Sequence, residues 1–342
     1  MHTIAITQGD SAGIGPEIIA KAFRDAPDIL RGCFVVGDVA TLRRAARLLE
    51  RVGQPALPVA QLSDPGEAPH MPPRCVPVLQ LPDIPGPQPW GRVSAAAGQA
   101  AAACVTWAAR AALAGQIAGI VTAPLHKEAL SAAGIRFPGH TELLQAEAAA
   151  HRGVSLEEMP VRMMLASDEL RTVLVSIHVA LREAIEAVTL HSVLETIRIT
   201  DAALARSLGR APHIAVAGLN PHAGEGGLFG REEIEVIAPA IEAARALGLR
   251  VTGPIAPDTV FMRARSTPQR AGEFDAVIAM YHDQGLIPVK YLGVDKGVNV
   301  TLGLPLVRTS PDHGTAFDIA GQAIADAASL VEAVRMARLL TR

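Results

Sequence analysis

A chain of 342 residues is long for one small core and predicts two domains or one large α/β domain. It is 49% hydrophobic but only 3% aromatic, so its core must be built from Ala, Val, Ile and Leu. A formal net charge of −3 with no Lys/Arg run leaves no electrostatic footprint for nucleic acid, and so few rings give bases no stacking platform.

The opening residues, MHTIAITQGD, carry no cationic leader and run straight into a strand-like pattern, which predicts that no signal peptide is present. Strands are predicted at Thr3–Thr7, Cys33–Val36, Gly119–Thr122, Thr172–Ile177, His213–Ala217 and Ala276–Met280. Between them, helical patterns cover Pro16–Arg24, Val39–Arg51, Ser94–Leu113, Leu181–Leu190 and Glu232–Leu247, and a last one covers Ala320–Leu340. Short β-rich runs alternating with helices are the pattern of βα units on a mainly parallel sheet. Eleven of the 25 prolines fall between Pro55 and Pro89. Proline removes ladder donors and breaks helices, so this stretch reads as a surface excursion, mostly loop with edge strands. The apolar window from Trp107 to Leu125 is interrupted by Arg110 and Gln116 and falls short of a membrane span. Cys33, Cys75 and Cys104 are odd in number and form no CxxC pair, which predicts a reducing compartment, the cytoplasm.

Several stretches carry chemistry. Gly9–Ile18, GDSAGIGPEI, joins a strand to a helix, but Gly13-x-Gly15 lacks a third glycine and no GK[ST] follows. It therefore fails both the dinucleotide and the P-loop patterns and reads equally as a tight turn. His178, His222 and His282 each sit just past the carboxyl end of a predicted strand, where open α/β sheets bind ligands. Three imidazoles with an open position suit a catalytic divalent ion. Their separations of 44 and 60 residues carry no local ligand spacing, and each alone reads as a loop histidine. Their surroundings, LNPHAGEGG and YHDQG, are glycine-rich and acidic rather than apolar, which favours ligation. His140 and Thr141 stand at a predicted helix start after Gly139, a place for a cap or for an anion. Lys290, Asn299 and Arg308 lie in one Gly- and Val-rich stretch with apolar flanks, a cation and amide set suited to an anionic substrate.

Read together, GDSAGIGPEI, GIVTAPLHK, GHTELL, LNPHAGEGG, PDTVF, MYHDQGLIPVK and GVNVTLGLPLVRTSPDHGTAFDIAG run in this order along nearly the whole chain. They resemble the 4-hydroxythreonine-4-phosphate dehydrogenase (PdxA) family of vitamin B6 synthesis. The last string also resembles a loop of isocitrate and isopropylmalate dehydrogenases, which bind nicotinamide cofactors without the Rossmann fingerprint. The resemblance implies two α/β/α domains with a cleft between them, isocitrate/isopropylmalate dehydrogenase-like. One domain would cover residues 1–135 plus 305–342 with the cofactor loop. The other, 136–304, would carry the metal ligands and dimer contacts.

By the same resemblance His178, His222 and His282 would hold one divalent ion (Zn, Co, Mg or Ni), with ligands drawn from both subunits of a homodimer. His140, Thr141, Lys290, Asn299 and Arg308 would bind a small anionic substrate, and His313, Gly314, Thr315 and Asp318 would bind NAD or NADP. Asp258 and Asp283 stand as candidate proton-transfer groups, and Lys290 as either an anion contact or a proton carrier. The implied reaction is metal-dependent oxidation and decarboxylation of 4-hydroxythreonine 4-phosphate or a close phosphorylated hydroxy acid. Ser11 stands where the biosynthetic enzymes have proline, and Gly226–Glu233 reads GGLFGREE rather than their GGHMG. The strings GLFG, PDTVF and GTAFDIAG resemble the branch acting on D-threonate or D-erythronate 4-phosphate, and a further relative oxidises a terephthalate cis-dihydrodiol. A metal-dependent hydrolase or lyase without nicotinamide is the rival of a different class.

Overall fold

The computed structural model describes residues 3–293 and 297–341, so residues 294–296 of the Lys290–Ser310 stretch and the termini of the expected first domain lie outside the described residues. The chain divides into two compact units: residues 1–160 with 304–341, and residues 161–303.

In the first unit the strands are β1 (Ile4–Thr7), β2 (Cys33–Gly37), β3 (Val59–Leu62), β4 (Val76–Gln80) and β5 (Gly119–Thr122). Its helices are α1 (Gly15–Asp25), α2 (Pro27–Leu30), α3 (Val39–Arg51), α4 (Ala95–Leu113), α5 (Lys127–Ala132) and α6 (His140–Arg152). Pro16 opens α1, where its missing N–H costs nothing. Asp38 caps α3 by accepting from the Thr41 amide. Ser94 caps α4, whose alanine-rich surface lets α5 and α6 pack closely. The proline-rich excursion holds β3 at the edge and β4 inside it, paired to β2 and β3 on either side.

The second unit contains β6 (Arg162–Ala166), β7 (Arg171–Leu174), α7 (Leu181–Glu186), α8 (Leu190–Leu208), β8 (Ile214–Ala217), α9 (Ala238–Ala246), β9 (Val251–Ile255), α10 (Pro257–Ala264), β10 (Ala276–Ala279), α11 (His282–Tyr291) and β11 (Val298–Leu302). Its strands run in the order β11-β6-β7-β10-β8-β9. β11, β6 and β7 are antiparallel, while β7, β10, β8 and β9 are parallel. Leu165, Leu174, Val277, Leu286 and Val289 form part of its core. Each such side chain contributes about 1.5–3 kcal/mol by leaving water.

The chain then returns to the first unit with β12 (Val307–Pro311) and α12 (Ala328–Leu340). β12 pairs in parallel with β5, completing the order β3-β4-β2-β1-β5-β12. Lys21 donates to the Ala323 and Ala325 carbonyls and so fixes residues before α12 onto α1.

Several expectations are corrected. Residues 136–160 belong with the first unit, because α6 packs on α4. The helix expected over Leu181–Leu190 ends at Glu186, and Thr189 then caps the longer α8 through a reciprocal bond with Ser192. Over Glu232–Leu247 a wide turn at Glu233–Ile237 precedes α9, since Pro239 removes one helical donor. Only Ala328–Leu340 of the last pattern is helical. No helix among the described residues is long and apolar enough to cross a membrane.

Candidate active site

In the first unit, functional side chains gather where β1 and β5 end. Arg308, 4% exposed, donates its Nε (3.0 Å) and Nη2 (2.7 Å) to the Thr122 hydroxyl. Burial lowers its pKa to about 10, against the attraction of Glu142. His140 opens α6, and its buried Nε2 has no hydrogen-bond partner. Desolvation, then the Arg308 charge, holds this imidazole well below its ordinary 6.5, with a bond to the Ala123 backbone opposing. The ring is therefore neutral near pH 7. Gly139, not Thr141, occupies the cap position, and no side chain caps the helix. A buried guanidinium beside an uncapped helix start is chemistry for a phosphate or carboxylate.

The loop carrying His313, Gly314, Thr315 and Asp318 docks on the β1–α1 turn. The Ile14 amide donates to the Thr315 carbonyl at 3.0 Å. A Cβ on Gly13 would stand 2.9 Å from Thr315, so only glycine fits there. Phe317 stacks on His126 with ring centroids 4.6 Å apart. Thr315 is buried, while Gly314 and Asp318 are exposed. Asp10, wholly buried, accepts from the Ala12 amide through Oδ1 but leaves Oδ2 without a partner. Burial raises its pKa, with the Ala12 bond and His126 opposing. His126 Nδ1 and His313 Nε2 are likewise buried and unpartnered. Such orphaned donors and acceptors beside a docked loop fit a polar cofactor.

In the second unit the His178 and His282 rings lie 5.5 Å apart, tilted by 44°. His282 Nδ1 is 2.7 Å from Asp283 Oδ1, which fixes the tautomer that leaves Nε2 free to ligate. This pair fits two ligands of a divalent ion. The His222 ring lies 6.4 Å from the Phe229 ring, and no group of three ligating side chains forms among the described residues. Its backbone is left-handed, as are Ala223, Gly224, Glu225 and Gly226. For the three non-glycine residues this costs roughly 1–2 kcal/mol each, so neighbours must hold the turn.

His282 and Lys290 share helix α11 rather than a loop. Eight residues of rise set their Cα atoms about 12 Å apart along the axis. Asp258 is exposed in the first turn of α10, which packs on the His222 turn. Asn299 lies in β11 opposite Leu165, half-buried. Sequence reasoning assigned no role to Asp10, His126, Thr122 or Glu142. The signal available was that GDSAGIGPEI and GIVTAPLHK are both strand-to-helix turns, whose side chains a parallel pair brings together.

Comparison with known proteins agrees with this architecture. The family model for the pyridoxal phosphate biosynthetic protein PdxA matches residues 30–337. A 4-hydroxythreonine-4-phosphate dehydrogenase of Beijerinckia indica is 52% identical, covering 96% of this chain and 92% of its own. A D-threonate 4-phosphate dehydrogenase of Cupriavidus necator is 47% identical, covering 100% and 98%. The crystal structure of a 4-hydroxythreonine-4-phosphate dehydrogenase from Klebsiella pneumoniae superposes with a TM-score of 0.87 at 41% identity, covering 100% of both chains. With matches of this extent and identity, the chain belongs to the PdxA family.

Proposed function

We propose that this protein is a metal-dependent NAD(P) dehydrogenase that oxidises and decarboxylates 4-hydroxythreonine 4-phosphate or a close phosphorylated hydroxy acid. The observation that carries the anionic substrate is the buried Arg308 guanidinium beside His140. Membership of a family whose relatives are named dehydrogenases carries the reaction type. The 47% identical D-threonate 4-phosphate dehydrogenase keeps a four-carbon acid phosphate as the second reading.

His140, Thr141 and Arg308 contribute contacts to a phosphate or carboxylate, and Lys290 and Asn299 contribute a cation and an amide. His178, His282 and His222 are the metal ligands, the Asp283 carboxylate orienting His282. A divalent ion supplies Lewis acidity toward a substrate hydroxyl, and NAD(P) supplies the two-electron acceptor. Asp258 takes the hydroxyl proton, since Asp283 is already engaged with His282. His313, Gly314, Thr315 and Asp318 form the cofactor loop, braced by the Phe317–His126 stack.

A homodimer sharing its metal sites is part of this reading. The second unit exposes large apolar side chains close in sequence to His178 and His222, among them Val179, Leu181, Leu228 (73%) and Phe229, and Tyr291 (90%) at the end of α11. An exposed set of this kind marks a contact surface. A cytoplasmic location is supported by three free, buried cysteines.

The test is reduction of NAD⁺ or NADP⁺ with 4-hydroxythreonine 4-phosphate, D-threonate and D-erythronate 4-phosphates and an unphosphorylated cis-diol, with and without chelator. Reduced-cofactor absorbance with a phosphorylated acid, lost on chelation, is expected. Turnover without any reduced cofactor would support the hydrolase or lyase instead. Activity indifferent to chelator would overturn the metal role.

A further inference from the structure

Beyond the ligands themselves, we infer that Glu233 is a positioning residue for His222, holding the left-handed turn on which that imidazole is displayed. This rests on the proposed metal role of His222. Glu233 is 3% exposed, and a buried carboxylate is tolerable only where N–H groups compensate its charge. Its Oε1 accepts from the Leu219 and Asn220 amides, both at 2.7 Å. Its Oε2 accepts from the Asn220 side-chain amide at 3.0 Å, whose nitrogen also donates to Glu232 at 2.7 Å. The carboxylate thus grips the chain two residues before His222.

The glycines of GLNPHAGEGGLFGREE are spaced to admit this clasp. Gly224 has φ 78° and lies on the far side of His222, where a Cβ would stand 2.7 Å from Glu233 Oε2. On Gly230 a Cβ would stand 2.5 Å from Asn220 Nδ2 and 2.6 Å from Glu232 Oε2. The clasp therefore touches the turn both before and after the histidine. The five left-handed residues from His222 to Gly226 have few backbone bonds of their own, such as the Ala223 amide to the Asn220 carbonyl at 3.1 Å, and Glu233 adds three bonds to the two residues that enter the turn.

The experiment compares wild type, Glu233→Gln, Glu233→Ala and His222→Ala as metal-free proteins, titrated calorimetrically with Co²⁺, with thermal melting in chelator alongside. Glu233→Ala should weaken Co²⁺ binding by roughly 10–100-fold, as loss of a ligand-orienting partner does. Glu233→Gln keeps one oxygen for the two amides and should lose less. A purely structural role would lower the melting temperature of both Glu233 variants and leave Co²⁺ affinity unchanged, which would overturn the inference. If Glu233→Ala does not fold, Glu233→Gln decides by the same criterion. Unchanged affinity in His222→Ala would overturn the metal reading itself. Weak binding in His222→Ala with normal binding in Glu233→Gln and Glu233→Ala would overturn only the positioning role.

Discussion

Arg308 and Thr122 are joined by a fork, two guanidinium N–H groups sharing one hydroxyl at 2.7 and 3.0 Å across adjacent strands. Arg308→Lys replaces the planar fork with a point charge that cannot keep this geometry. KM for a phosphorylated substrate should rise about tenfold, a change of about 1.4 kcal/mol. Thr122→Val removes the shared acceptor and should cost roughly 1–3 kcal/mol in denaturant unfolding, because buried donors lose a partner.

His140 links stability to pH. Its pKa in the folded state lies well below 6.5, so the unfolded chain binds the proton more readily. The contribution is complete above about pH 6.5 and is lost as pH falls below it. Unfolding midpoints should therefore drop with acidification from that point, and His140→Gln should flatten the dependence. An anion beside His140 favours the charged ring. Substrate binding near neutrality should then take up protons, seen as a dependence of calorimetric enthalpy on buffer ionisation.

His282→Ala should abolish tight Co²⁺ or Zn²⁺ binding in equilibrium titration. Asp283→Asn should weaken it less, since Asp283 is 71% exposed and water can replace much of its bond to the ring. Equal losses in the two variants would refute this ordering.

Gly13→Ala places a methyl group against Thr315. Expected are a raised KM for NAD(P) and normal metal affinity, with a stability loss of about 1–3 kcal/mol from overpacking. A loss of metal binding would show that the disturbance is not local to the loop.

The thiols should be inert. Burial raises Cys33 to about 11 and Cys104 to about 12, and burial also raises Cys75. A thiol reagent at mildly alkaline pH should label none of the three rapidly in the native protein and all of them after unfolding.

Six strands and half of the helices α1–α12 are readable from local pattern. β1, β2, β5, β7, β8 and β10 are buried β-branched runs, and Asp38 and Ser94 mark helix starts with cap residues. What the local pattern hides is instructive. β4 contains Pro77, β9 contains Pro254, and β6 reads RMMLA with no β-branched residue, so nearest-neighbour pairing alone makes them strands. The helical nature of α11 is masked by Gly285 and Pro288, which local propensity counts against a helix. At the site, family motifs pick out His140, Arg308, His178 and His282, and the structure places them in two local pairs. Glu233 and His126 are invisible to spacing, because what singles them out is burial and contact with residues distant in the chain or on a strained turn.

The order in which the ribosome delivers this chain also matters. The second unit is one contiguous run, whereas the first waits for β12, whose arrival brings both Arg308 and the last strand beside β5. Until then β5 presents an unpaired edge, the kind of surface on which nascent chains associate wrongly. A chain stopped near residue 303 would lack Arg308 and keep that edge open. Synthesis of β12 thus delivers Arg308 and covers the open edge of β5 in a single event.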